Sequence, residues 1–273
     1  MKVTTLTVVL LSLLGLAHSA AASDKNFPHR AKYPHVPILD AAQLRKDIDR
    51  AVIVDVRTRY EYNTLHIKNA VHIPLSKEKL PAAVRELRKK TDRPIVFYCN
   101  GTTCKKSYEA AELAINAGVS NVFAYDAGLE LWTKNYPDQS VLMGRTPVQE
   151  SDFIDNARFK ERVISVADFE ARAEDGAIVL DVRDLRQRDN PLFPMREKRA
   201  QLDETDKLAE IVAEAKRSKK ALLIYDKVGK QVRWLQYYLE QQGVRNYYFL
   251  AGGAEGFFEA KFGKPKFAVP DLS

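Results

Sequence analysis

The sequence predicts an α/β protein of two tandem units, each a mainly parallel central sheet between two helical layers. Three observations predict it. Short β-branched apolar runs alternate with amphipathic stretches at helical spacing, the pattern of a buried parallel sheet covered on both faces. The order of these elements is written twice, so that Ala51-Val-Ile-Val-Asp-Val-Arg57 returns as Ala177-Ile-Val-Leu-Asp-Val-Arg183. The chain has 273 residues, 45% of them hydrophobic, and a duplication explains that length better than one large core does.

Residues 1–22 read as a cleavable export signal. Lys2 supplies the positive start, Leu6 to Leu16 the apolar run, and Ala17-His-Ser-Ala-Ala-Ala22 the small-residue exit. That run is too short to span a bilayer, and no later run is long enough, so no stable membrane span is expected. The expected location is periplasmic or secreted. Ser23 to His35 reads as a loose polar arm.

The first unit occupies 36–137. Asp40 caps a short helix over 41–49, because its carboxylate can accept orphan backbone N–H groups. Ala51 to Val56 is a buried strand, Arg59 to Asn63 a helical turn, and Val71 to Ile73 a short strand. Lys79 to Lys90 is a helix and Pro94 to Tyr98 the second strong strand. Lys105 to Asn116 is an amphipathic helix stopped by Gly118. Asn121 to Tyr125 and Leu129 to Lys134 complete the unit as a strand and a helix. Residues 138–157 mix Pro, Gly, Ser and acids without periodicity and read as a linker. The second unit, 158–268, repeats the series. Ile164 to Arg172 matches the first helix, Ala221 to Tyr225 the second strand, Gln231 to Gln242 the helix behind it, and Asn246 to Gly253 the closing segment.

A net charge of +7 invites a nucleic-acid reading. The basic residues, however, lie along helix-like stretches such as Arg85 to Lys90 and Lys216 to Lys220. Zinc-finger spacing, aromatic RNA-binding strands and long basic arms are missing from the sequence, so these charges read as solvated helix faces and no nucleic-acid partner is expected. The cysteines are Cys99 and Cys104, too few to make a good metal site.

Several motifs together resemble the rhodanese (thiosulfate sulfurtransferase) family. Asp55-Val-Arg57, Glu61-Tyr62 and Leu65-His-Ile-Lys-Asn-Ala-Val-His-Ile-Pro74 resemble its DVR…EY…GHIPGAxxIP signature. Tyr98-Cys99 with a following loop and Ser107 resembles its active-site loop, and Gly128-Leu-Glu-Leu-Trp132 its closing GGxxxW segment. In the second copy Asp181-Val-Arg183 and Gly252 to Phe257 match, while Gln187 to Ala200 replaces the GHIPGA-like stretch. The resemblance implies that Asp55 and Arg57 support neighbouring loops and that His66 and His72 are turn and strand residues rather than bases.

Cys99 stands at a strand-to-helix bend, Asn100-Gly-Thr-Thr-Cys-Lys-Lys-Ser107, that aims backbone N–H groups and a helix N-terminus at one point. Such a cradle favours anions and lowers a thiol pKa. Asn100, Gly101, Thr102, Thr103, Cys104, Lys105, Lys106 and Ser107 form this cradle, with the two lysines as a basic rim. The resemblance implies that Cys99 is the catalytic residue. It would take sulfane sulfur from a small anionic donor like thiosulfate and pass it to an unidentified thiol or protein acceptor, with no metal or organic cofactor.

The loop is also similar to that of exported bacterial rhodanese-like proteins with a C-N-G-x-x-C-x-K-S pattern. Cys104 is then a candidate resolving residue or a permanent disulfide partner, and the sequence leaves both open. Likeness to the C-x5-R loop of rhodanese-folded phosphatases is weakened by Lys105, which cannot grip phosphate bidentately. Asp226 stands in the second copy where Cys99 stands in the first, so that copy cannot form a persulfide. The rival readings are a non-enzymatic sulfur carrier or binding module, and a thiol–disulfide redox protein using both cysteines.

Overall fold

The computed structural model describes residues 26–188 and 190–264. The expected signal at 1–22 and the last residues of the second unit lie outside the described residues.

In the N-terminal half, Asp40 caps α1 (Ala41–Lys46) by accepting the Gln43 N–H at 2.7 Å, as its position predicts. β1 (Val52–Asp55) leads to α2 (Arg59–Thr64), which begins with a reciprocal capping box between Thr58 and Glu61. β2 (Leu65–Ile67) and β3 (Val71–His72) follow, then α3 (Leu80–Arg88), β4 (Ile95–Tyr98), α4 (Lys106–Asn116), β5 (Val122–Tyr125) and α5 (Gly128–Asn135). The sheet runs β3-β1-β4-β5, parallel throughout.

Alternation along the strands divides the core into two layers. Ile53, Val96, Tyr98 and Tyr125 face Leu44 of α1 and Trp132 of α5. Val54, Ile95, Phe97 and Ala124 face Val84 of α3 and Tyr108, Ala110 and Ala111 of α4. Every β4 residue is buried, which is why the strand reads as an unbroken apolar run.

The C-terminal half is built the same way. After β6 (Ser140–Leu142) and α6 (Asn156–Lys160) come β7 (Val163–Ile164), α7 (Val166–Glu174), β8 (Ile178–Asp181), β9 (Glu197–Arg199), α8 (Thr205–Ser218), β10 (Leu222–Tyr225), α9 (Val232–Gln241), β11 (Tyr247–Leu250) and α10 (Gly253–Phe262). Its parallel sheet has the order β7-β11-β10-β8-β9. One face packs on α8 and α9 through Leu208, Ile211, Leu235 and Leu239, the other on α7 and α10 through Phe169 and Phe257. The fold is α/β, with parallel sheets between helical layers.

Two segments are more ordered than their composition suggests. Within 138–157, β6 pairs antiparallel with β2, while Val148 and Ile154 are buried in the core beside α1 and α5. The described part of the arm, residues 26–35, is docked rather than loose. Arg30 forms a fork on Asp126 at 2.7 and 3.1 Å, and the Tyr33 ring stacks on Tyr108 at 5.3 Å. A charge pair on a buried carboxylate and an aromatic stack leave no periodic trace in sequence.

α9 of the C-terminal half reaches the N-terminal core. Trp234 and Tyr237 belong to the same cluster as Tyr98 and Trp132. The Tyr237 hydroxyl accepts the Ile154 N–H at 3.1 Å, and Arg233 pairs with Glu130 at 3.0 Å.

Candidate functional site

β4 carries the chain to Tyr98, and the next residue, Cys99, lies at the end of the sheet with 2% of its surface exposed. The chain then bends through Asn100 to Lys105 before α4 begins at Lys106. Cys99 and Cys104 are joined by a disulfide, with their Cα atoms 6.3 Å apart. Cys104 is brought back by a turn in which its N–H donates to the Gly101 carbonyl at 2.9 Å. Unlike Cys99, it is only half-buried.

The bend is held from two sides. The first N–H groups of α5 reach it: Leu129 donates to the Cys99 carbonyl at 3.0 Å and Glu130 to the Asn100 carbonyl at 3.3 Å. Such contact requires bare backbone at Gly128, which has φ +78°; a Cβ there would lie 2.3 Å from the Gly101 Cα. From the other side, Asn100 is gripped by two buried charges. Its carbonyl oxygen accepts from Arg57 Nη1 at 3.0 Å, and its amide donates to Glu61 Oε1 at 2.8 Å.

Arg57 is itself fixed by Asp55, through Nε to Oδ1 at 3.0 Å and Nη2 to Oδ2 at 2.6 Å, and it also donates to the Leu65 carbonyl at 2.6 Å. The Tyr98 hydroxyl donates to Asp55 at 2.5 Å. Burial opposes the Arg57 charge, yet Asp55, Tyr98 and Glu61 outweigh it, so the guanidinium holds its proton more tightly than usual. Burial likewise works to raise the Glu61 carboxyl, but the Arg57 charge, the Asn100 amide and the Thr58 N–H outweigh it and hold the group below its usual range. Burial and the neighbouring Asp55 push the Tyr98 phenol up, which keeps it a donor.

Among the other residues that the sequence singles out, Thr102 is half-buried, Thr103 is exposed, and the Thr103 carbonyl accepts from His29 of the arm at 3.0 Å. Lys105 pairs with Glu109 along α4 at 3.2 Å. Lys106 is half-buried and its charge acts on Glu61, while Ser107 is buried in the first turn of α4. His66 and His72 face backbone carbonyls, of Tyr62 at 2.7 Å and Arg57 at 2.9 Å. Burial lowers the His66 pKa.

Sequence reasoning missed the clamp on Asn100. Its signal was present: Thr58-x-x-Glu61 is a capping-box spacing, which orients Glu61 so that its second oxygen faces the loop. It also missed the cluster of Arg30, Tyr108 and Asp126, where the Tyr108 hydroxyl donates to Asp126 at 2.6 Å.

The second copy of this bend is the more informative. Asp181 and Arg183 repeat the paired grip of Asp55 and Arg57, at 3.0 and 2.8 Å. Asp226 then follows β10 as Cys99 follows β4. Its carboxylate accepts four backbone N–H groups: Val228 at 2.9 Å and Gly229 on one oxygen, Gln231 and Val232 at 3.0 Å on the other. Burial pushes this carboxyl above its ordinary value, although the four amides pull against that. The bend therefore gathers amide protons around the first side chain after the strand, and in this copy a carboxylate fills the nest.

Residues 40–135 match the family model of the rhodanese-like domain. A tRNA uridine(34) hydroxylase of Salmonella arizonae is 31% identical over 132 residues, covering 46% of this chain and 35% of that protein. One from Salmonella heidelberg is 32% identical over the same share. The chain thus spans about a third of the length of these curated relatives. Among solved structures, a thiosulfate sulfurtransferase from Pseudomonas aeruginosa aligns over 85% of this chain and 46% of its own, with 24% identity and a TM-score of 0.37. A human single-domain sulfurtransferase aligns over 36% of this chain and 92% of its own, with 24% identity and a TM-score of 0.30.

Proposed function

We propose that the rhodanese-like domain over residues 40–135 makes this chain an exported sulfurtransferase, with Cys99 as its sulfur-carrying nucleophile. The observation that carries this reading is the nest around Asp226. In the C-terminal half the corresponding bend, one residue shorter, places four N–H donors on a carboxyl side chain. With a thiol in that position, the same donors favour the thiolate over the thiol, which is the form that attacks sulfur.

The disulfide is the oxidised state of this site and is opened by reduction. A reduced Cys99 thiolate attacks the outer sulfur of a thiosulfate-like anion. The donor's sulfur–sulfur bond breaks, sulfite leaves with the electron pair, and a Cys99 persulfide remains. A nucleophilic acceptor, a small thiol or a protein thiol, then takes the sulfur and restores the thiolate. Residues 158–268 form a unit without sulfur chemistry, because Asp226 fills its own nest. Residues 1–22 act as the export signal, in keeping with a disulfide that persists in an oxidising compartment. The curated relatives carry a tRNA-directed name, but the sulfur reading rests on this chain's own loop.

Incubating reduced protein with thiosulfate and following sulfur on the Cys99 peptide, together with turnover to cyanide, tests the assignment. The reading expects sulfite release, passage of sulfur through the Cys99 peptide and turnover, and expects C99S to lose all three. Unchanged turnover in C99S would overturn it. The disulfide also favours a second reading, a thiol–disulfide redox protein, which would form the disulfide without releasing sulfite from thiosulfate.

A further inference from the structure

We propose that Cys104 resolves the Cys99 persulfide, so that the protein reduces the sulfane sulfur of its donor to sulfide at the expense of a dithiol. This rests on the sulfur-carrying reading of Cys99 and adds an activity to it: reductive cleavage of the donor rather than transfer of its sulfur to an acceptor.

Three features of the loop point to it. First, the two sulfur atoms bond to each other within one turn, so the Cys104 sulfur reaches the same atom that would bear the extra sulfur. Second, the Cys99 bend is longer than its counterpart. Seven positions separate Cys99 from Lys106 at the start of α4, against six from Asp226 to Val232 at the start of α9. The longer bend contains the turn that returns Cys104 toward Cys99. Third, the two cysteines are unequally exposed, Cys99 buried and Cys104 half-buried. An external thiol therefore meets Cys104 first. Its attack there expels Cys99 as a thiolate into the nest, and a thiolate stabilised in that way is the better leaving group.

The cycle balances. Cys99 takes the outer sulfur of thiosulfate and releases sulfite. The Cys104 thiolate then attacks the inner sulfur of the persulfide, Sγ of Cys99. A Cys99–Cys104 bond forms, the bond to the outer sulfur breaks, and the electron pair leaves with hydrosulfide, which takes up the thiol proton. Two protein thiols have been oxidised to a disulfide, and one sulfane sulfur has been reduced to sulfide. A dithiol reductant reopens the disulfide by exchange through Cys104 and is itself oxidised to a disulfide. No metal or other oxidant enters the sum.

The test uses the whole chain. Protein reduced with dithiothreitol and freed of reductant is mixed with thiosulfate, and sulfite, sulfide and the non-reduced loop peptide are measured. Wild type is expected to release sulfide in step with sulfite and to end as the Cys99–Cys104 disulfide. C104A, with C104S as a second variant, is expected to release sulfite, lose sulfide release and retain added sulfur on Cys99. Wild type that keeps a lasting persulfide beside a free Cys104 thiol, or a variant that releases sulfide as fast as wild type, overturns the resolving role alone. Variants that stay folded by circular dichroism yet gain no sulfur and release no sulfite overturn the sulfur-carrying reading beneath it.

Discussion

At the scale of single residues, the site depends on Asn100 being held between a buried cation and a buried anion. Both oxygens of Glu61 are engaged as acceptors: Oε2 accepts the Thr58 N–H at 3.0 Å and hydroxyl at 2.8 Å, and Oε1 accepts Asn100. In E61Q one oxygen becomes an NH2 group that meets donors on whichever side it faces. A loss of about 1–3 kcal/mol in denaturant unfolding is expected, since a buried donor is left unsatisfied. The same carboxyl gives an acid signature. Held below its ordinary value of 4.5, it ionises more readily folded than unfolded. Its stabilisation is therefore complete above that value and is lost as pH falls through the folded pKa. The stability difference between wild type and E61Q should shrink steadily as pH drops below 4.5; a difference independent of pH would contradict the ionised clamp. Cys99, Asp55 and Arg57 were legible from the sequence because their motif fixes them on strand ends. The partner of Asn100 was not read, because the Thr58-x-x-Glu61 spacing announces a helix cap and not the loop that its second oxygen reaches.

At the scale of elements, the bend after β4 and the start of α5 form one piece of backbone. Gly128 has φ +78°, and its absent Cβ makes room for Gly101. G128A is expected to cost about 2–4 kcal/mol, combining left-handed strain with overpacking against a backbone that cannot yield. Thermal or denaturant unfolding measures it, and a cost within experimental scatter would contradict the close approach. The GG-like closing segment was readable, whereas what it touches was not. Element types were also readable where the hydrophobic period was strong, as in β1, β4, α4 and α9. β2, β6, β7 and β9 escaped notice because each is only two or three residues long, too short for a period of two to register. Of α8 only the basic end at Lys216 was read as helix-like, behind the irregular stretch from Gln187 to Ala200, although its buried Leu208, Ile211, Val212 and Ala215 keep a helical spacing.

At the scale of the whole molecule, the second copy supports the first. Trp234 lies over the Arg57 guanidinium, 5.0 Å from carbon to ring centroid, and Arg57 in turn holds Asn100. Arg233 pairs with Glu130, whose N–H binds the Asn100 carbonyl. The helix behind the acid-filled nest thus braces both supports of the cysteine loop. W234A is expected to lower stability by about 3–5 kcal/mol, the usual cost of deleting a buried Trp. A loss below about 1 kcal/mol in denaturant unfolding would mean that α9 does not brace the N-terminal core. The two parallel sheets were legible in the repeated strand sequence, but this contact between the halves was not, since both partners read simply as helix and loop. The repetition also allows the most direct test, because one bend displays in carboxylate form what the other is argued to do with sulfur. In reduced protein, alkylation of Cys99 followed as a function of pH on its own peptide reports the thiol pKa. A midpoint well below the free-cysteine value of about 8.5 is the predicted result. A midpoint at or above that value would contradict an amide nest around this sulfur.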